Sequence, residues 1–195
     1  MISSYLLASI TLLFLCSTKG ELMSRQSSTE PFQMYAYGPG IGGLSIFSSG
    51  GNAFVGDYQS TNQSQAAPVI ITPVNTGGDG GSWVATPNTT RPVNSTDPPT
   101  WSSREFAIPG PDSASNQVGF VTAANDTSNA ITSGFSFYGN VILLTTGDGT
   151  WESLWAAVPT AIDDVYLLQW NVTDDEDSNQ VPLTLKRIPP SNSPN

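Results

Sequence analysis

The chemistry open to this chain is set by its carboxylates. The 195 residues include 16 Asp and Glu, no histidine, and one cysteine, Cys16, placed in an apolar N-terminal run. Without histidine there is no side chain that ordinarily exchanges protons near neutral pH, and no base for a Ser–His–Asp triad. Lysine is no substitute, since Lys19 and Lys186 are the only two. Beyond Cys16 there is no thiol for nucleophilic attack, disulfide formation or metal ligation. Zinc and copper sites built on His or Cys are excluded, including those of oxidative copper enzymes that cleave polysaccharides. Glycoside hydrolysis survives, because two carboxylates suffice for it. The acids near or within predicted strands are Asp57, Glu105, Asp148, Glu152 and Asp163. Glu152 stands out between Trp151 and Trp155. Strand alternation, however, puts the two tryptophans on one face and Glu152 with Leu154 on the other. An exposed Glu on a half-buried strand is therefore the favoured reading. The run Asp174–Asp177 reads as a solvated turn, because it lacks the alternate spacing and fixed glycine of an EF-hand loop. The expectation is a protein with no catalytic site, metal or cofactor.

The second chemistry is binding through aromatic rings. Five tryptophans and six tyrosines are available to stack on sugar rings. Trp101 is the first candidate ligand-binding residue, because it follows Pro98-Pro99 in a polar stretch; Trp151 is the second. Trp83, Trp155 and Trp170 lie in apolar segments and are expected in the core. The run Gly38-Pro39-Gly40-Ile41-Gly42-Gly43 matches G-x-G-x-x-G, but another strand-like segment follows where a dinucleotide site needs a helix N-terminus. It reads as the turn of a hairpin with positive φ at glycine.

The third is modification. Asn62, Asn88, Asn94, Asn125 and Asn171 each begin an Asn-X-Ser/Thr tripeptide and are the candidate glycosylation sites, expected on loops in solvent. They follow a candidate signal peptide, residues 1–20. Its apolar run Leu6–Cys16 is 11 residues long, shorter than the roughly 20 needed to span a bilayer. The expected localisation is secreted, extracellular or cell-wall associated, with no membrane span. Losing Lys19 with the leader leaves five basic residues against 16 acids, about −11. That balance argues against nucleic acid and anionic membranes as partners.

These groups must be carried by short strands. Residues 21–31 are polar and aperiodic and read as an arm, 32–190 as one domain, and 191–195 as a tail. Twelve segments alternate apolar and polar residues between Gly, Pro, Asn or Asp: 32–37, 44–48, 53–56, 68–72, 82–85, 105–108, 117–122, 134–138, 141–145, 151–158, 165–172 and 181–188. The pattern predicts an all-β, single-domain antiparallel sandwich or barrel of about ten short strands with little helix. Asp148-Gly149 predicts a hairpin turn, Asp163-Asp164 another turn, and Pro182 an edge strand. Residues 86–100 hold four prolines and two of the glycosylation tripeptides and read as a surface loop.

From Phe32 onward the layout resembles a group of small secreted proteins of filamentous fungi. The resemblance rests on Phe32-Gln33-Met34-Tyr35-Ala36-Tyr37-Gly38, Ala53-Phe54-Val55-Gly56-Asp57, Gly134-Phe135-Ser136-Phe137-Tyr138-Gly139 and Leu168-Gln169-Trp170-Asn171. The opening strand–turn–strand is more loosely similar to fungal cell-wall proteins of the conidial-wall type, although the cysteines are missing. The resemblance implies action at a cell wall or in the extracellular space and brings no functional residues. Cell-wall polysaccharide or another extracellular protein is the implied partner, with a carbohydrate-binding module-like protein as the alternative.

Overall fold

The computed structural model describes residues 29–74, 80–90, 98–122, 129–172 and 179–191. The candidate leader, Asn94, Asn125 and the acidic run Asp174–Asp177 lie outside these residues. The described chain is all-β, with one short 3₁₀ helix, Tyr58–Thr61. All fifteen strands pair antiparallel: β1 Tyr35–Gly38, β2 Ile41–Ser49, β3 Asn52–Val55, β4 Ala67–Val74, β5 Ser82–Pro87, β6 Arg104–Pro109, β7 Gly119–Val121, β8 Ala130–Ile131, β9 Phe135–Tyr138, β10 Val141–Thr145, β11 Trp151–Glu152, β12 Trp155–Pro159, β13 Tyr166–Trp170, β14 Val181–Pro182 and β15 Thr184–Lys186. Fifteen strands exceed the twelve expected segments because two of those segments, 151–158 and 181–188, are each broken in two and β8 is an added two-residue piece. Among the described residues no helix is long and apolar enough to cross a membrane.

The longest strand organises the rest. The N-terminal part of β2 pairs with β1, while Ile46–Ser49 pairs with β3 on one side and Phe47–Ser48 with β4 on the other. Following the ladder through β4, β5, β6, β7 and β3 leads back to β2, so these six strands close a ring. The closing seam is narrow. Asn52 faces Gly119, Ala53 N–H donates to Val118 O (3.0 Å), and Phe120 N–H donates to Gly51 O (2.7 Å). A Cβ on Gly119 would sit 2.8 Å from Gly51 O, so the seam accepts only glycine there.

The second wall is β11–β10–β15–β1, with β9 on the other edge of β10. It joins the first wall through β2 and through the segment Val181–Lys186. There β14 pairs with β12 and β15 pairs with β1, with Leu183 N–H donating to Trp155 O (2.9 Å) between them. Pro182 is exposed on β14, the terminal strand of the order, where its missing N–H costs no ladder bond.

Between the walls lies one apolar core centred on Trp83. Its indole meets Phe32 edge-on at 5.1 Å, Phe135 at 5.1 Å, Phe137 at 5.3 Å and Phe106 at 6.1 Å. A smaller cluster of Phe47, Phe54, Tyr58, Ala66 and Val165 covers the outer side of β2–β3. The 3₁₀ helix seats Tyr58 in it, capped by Asp57, whose carboxylate accepts from Gln59 N–H (2.9 Å).

Candidate functional site

Alternation in Phe135-Ser136-Phe137-Tyr138 sends both phenylalanines into the core and Ser136 and Tyr138 outward. On β10, Ile142 and Leu144 point in, while Val141 and Leu143 share the outer face. Tyr138 faces Val141 in the register and Trp151 faces Thr145, so both rings belong to that face. Tyr138 is 56% exposed and Trp151 42% exposed. Their centroids are 5.5 Å apart with the planes inclined by 52°. The arrangement is an angled aromatic corner, not a flat platform.

Two polar devices hold the corner. Ser136 and Thr145 hydroxyls bond at 2.9 Å across β9–β10. The β10–β11 turn is built on Asp148, whose Oδ1 accepts from the Thr146 hydroxyl, from Thr150 N–H (3.1 Å) and from the Thr150 hydroxyl (2.8 Å). These bonds, first of all that from the Thr146 hydroxyl, lower its carboxyl pKa to about 2, so the turn is built around a carboxylate. Gly149 follows with φ 83°, as the expected turn requires.

The face continues across β15 and β1. Lys186 faces Val141 and Tyr35 in the two ladders, and its ammonium lies 4.7 Å from the centre of the Tyr37 ring. Tyr37 hydroxyl donates to Ile188 O (3.1 Å), and desolvation raises its pKa. All three basic side chains among the described residues rest on rings: Lys186 on Tyr37, Arg187 on Phe137 (4.8 Å) and Arg104 on Trp101 (5.5 Å).

Trp101 is not an open stacking surface. It is 8% exposed, its indole N–H donates to Gln65 O (2.9 Å), and its ring stacks on Phe120 at 6.4 Å. The expectation from its polar surroundings is corrected: a long-range carbonyl and Phe120 draw the indole inward. Trp83, Trp155 and Trp170 are buried as expected. Trp151 remains as the exposed candidate. Sequence reasoning missed Tyr138, Tyr37 and Lys186, although the alternation in 135–138 contains the signal for Tyr138.

The candidate carboxylates are spread apart in role. Asp57 caps the 3₁₀ helix, Asp148 builds a turn, Asp163 is exposed in the turn before β13, and Glu105 is half-buried on β6. Among the described residues Glu152 is the one carboxylate lining a cleft of about 220 Å³ with Thr146, Asn116, Trp170 and Asn171. A paired-carboxylate site needs a second acid in that groove, and none of the cleft's lining residues supplies it among the described residues. Among the described residues no three Asp or Glu side chains gather as a metal site.

Of the glycosylation candidates, Asn62 and Asn171 are exposed and hold left-handed φ values of 50° and 53°. Asn88 departs from the solvent-loop expectation. It is 6% exposed, directly after β5, which extends through the first two residues of the expected 86–100 loop. The chain matches no protein-family model, and comparison with curated proteins and with solved structures found no match.

Proposed function

We propose that this is a secreted, N-glycosylated, non-catalytic β domain that acts at a cell wall or in the extracellular space by binding, with Tyr138 and Trp151 as its contact residues. The observation that carries the reading is the exposed Tyr138–Trp151 corner, 5.5 Å between centroids, on a face whose backbone is otherwise committed to the sheet. Exposed aromatics held rigid by neighbouring strands are favourable contact groups, because little side-chain freedom is lost on binding.

The 52° inclination favours one partner type over the other. Stacking along a flat polysaccharide needs coplanar rings, whereas an angled corner fits a convex group entering between them. The first reading is therefore an extracellular protein or an irregular wall partner. Carbohydrate recognition is the second, favoured by the solvent exposure of the Trp151 indole. The test is binding of the secreted chain to isolated cell walls and to purified wall polysaccharides, compared with the Tyr138→Ala/Trp151→Ala double variant. A fall of at least about tenfold in wall binding, the effect of losing about 1.4 kcal/mol, is expected. Undiminished binding by the double variant overturns the assignment of this face. Retention on a purified polysaccharide, abolished by the double variant, promotes the second reading.

A further inference from the structure

We infer that Asn88 carries a glycan whose first sugar is seated in a cleft of the folded domain, making that glycan part of the structure. The inference rests on the secreted, glycosylated reading and goes beyond it by assigning one site and its receptor. Asn88 N–H donates to Pro68 O (2.8 Å), which fixes the backbone after β5. Its side-chain Oδ1 accepts from Thr90 N–H (3.1 Å) and from the Thr90 hydroxyl (2.6 Å), the hydroxyl of its own Asn88-Thr89-Thr90 tripeptide. The amide oxygen is thus turned toward the tripeptide and Nδ2 away from it.

Nδ2 has no hydrogen-bond partner among the described residues, yet the one sealed, unpartnered side-chain polar atom there is Ser48 Oγ. Nδ2 therefore opens into space. Beside it, Asn88 and Thr90 line a cleft of about 450 Å³ together with Phe32, Gln33, Tyr35 and Arg187. Its volume falls in the roughly 300–1,000 Å³ range of small-molecule sites. Phe32 is clamped edge-on against Trp83 and Phe137, both at 5.1 Å, and presents a fixed apolar wall for the C–H face of a pyranose. Arg187 is positioned by its Nε–H donating to Asn140 Oδ1 (3.1 Å), which leaves its terminal N–H groups for sugar hydroxyls.

The burial also fixes when the sugar is added. At 6% exposure Asn88 is out of reach of a transferase in the folded domain, so transfer takes place on the unfolded chain. The anomeric carbon of an N-acetylhexosamine bonds to Nδ2 as its C–O bond to a lipid-linked diphosphate donor breaks. The diphosphate leaves with the bonding pair, and Nδ2 releases one proton. On folding, the first sugar takes the cleft and the remaining sugars extend from its open side.

The test uses the full chain secreted from a glycosylating host. Site-resolved mass spectrometry gives occupancy, and an amidase that cuts the Asn–sugar bond is applied before and after denaturation. The expected result is an occupied Asn88 released at least about tenfold more slowly than Asn62 or Asn171 in the native protein, with the difference lost on unfolding. An unmodified Asn88 beside an occupied Asn62 or Asn171 overturns the inference while leaving the glycoprotein reading intact. Equal native release from Asn88 and the exposed sites also overturns it. No occupancy at any site removes the glycoprotein reading and this inference together.

Discussion

Ser48, next to the end of β2, carries a buried hydroxyl with no partner among the described residues and is flanked in the ladders by Ala53 and Ala67. A buried hydroxyl without a hydrogen bond costs about 1–3 kcal/mol by mutational measures. Ser48→Ala is therefore expected to raise stability by about 1 kcal/mol, read as a higher denaturation midpoint at unchanged slope. A lower midpoint would show that the hydroxyl is satisfied in solution. Residues of this kind mark the limit of sequence reading. Ser48 falls in a strand whose alternation was legible, but nothing local shows that both neighbouring strands present alanine. Trp101 illustrates the same limit from the other side: a polar neighbourhood hides an indole whose partners, Gln65 and Phe120, are remote in sequence.

At the scale of elements, the β10–β11 hairpin depends on an ionised Asp148. Its folded pKa is held down at about 2, below the ordinary aspartate value of 3.8. The contribution is accordingly present above the unfolded value and is lost as pH falls from about 4 toward about 2. An NMR titration of the Asp148 carboxyl carbon is expected to give a midpoint near 2. A Thr146→Val/Thr150→Val variant should return it toward the ordinary carboxylate range, and a wild-type midpoint near 4 would contradict the turn geometry. The segment 151–158 was expected as one strand, and its alternation placed Trp151 and Trp155 on the same face. The ladder breaks at Ser153 and Leu154, because Trp151–Glu152 pairs with β10 while Trp155–Pro159 pairs with β13 and β14. The break puts one tryptophan outside and one inside. Alternation is reliable only within an unbroken ladder, and partner choice is a property of the tertiary fold.

For the whole molecule, all-β class, the positions of the twelve expected segments and the turns at Asp148 and Asp163 were legible, since they follow from local periodicity and turn chemistry. Closure of the β2–β4–β5–β6–β7–β3 ring was not, because it hinges on the short Asn52–Gly119 seam. With no cysteine among the described residues, cohesion falls to the aromatic centre. Trp83→Ala is expected to destabilise the domain by about 3–5 kcal/mol, measured by denaturant unfolding. A loss below about 1 kcal/mol would mean that Trp83 is not the centre of the packing. The pairing of Tyr35 with Lys186 also imposes an order in time. β1 is synthesised early and pairs with β2, yet it must wait for β15 before it can join β10 and complete the second wall. The roughly 100 residues between Asn88 and Lys186 take about 5–20 s to emerge at ordinary synthesis rates of about 5–20 residues per second. Throughout that interval Asn88 belongs to an incomplete chain, and the late arrival of one strand sets the length of time in which it is open to enzymes.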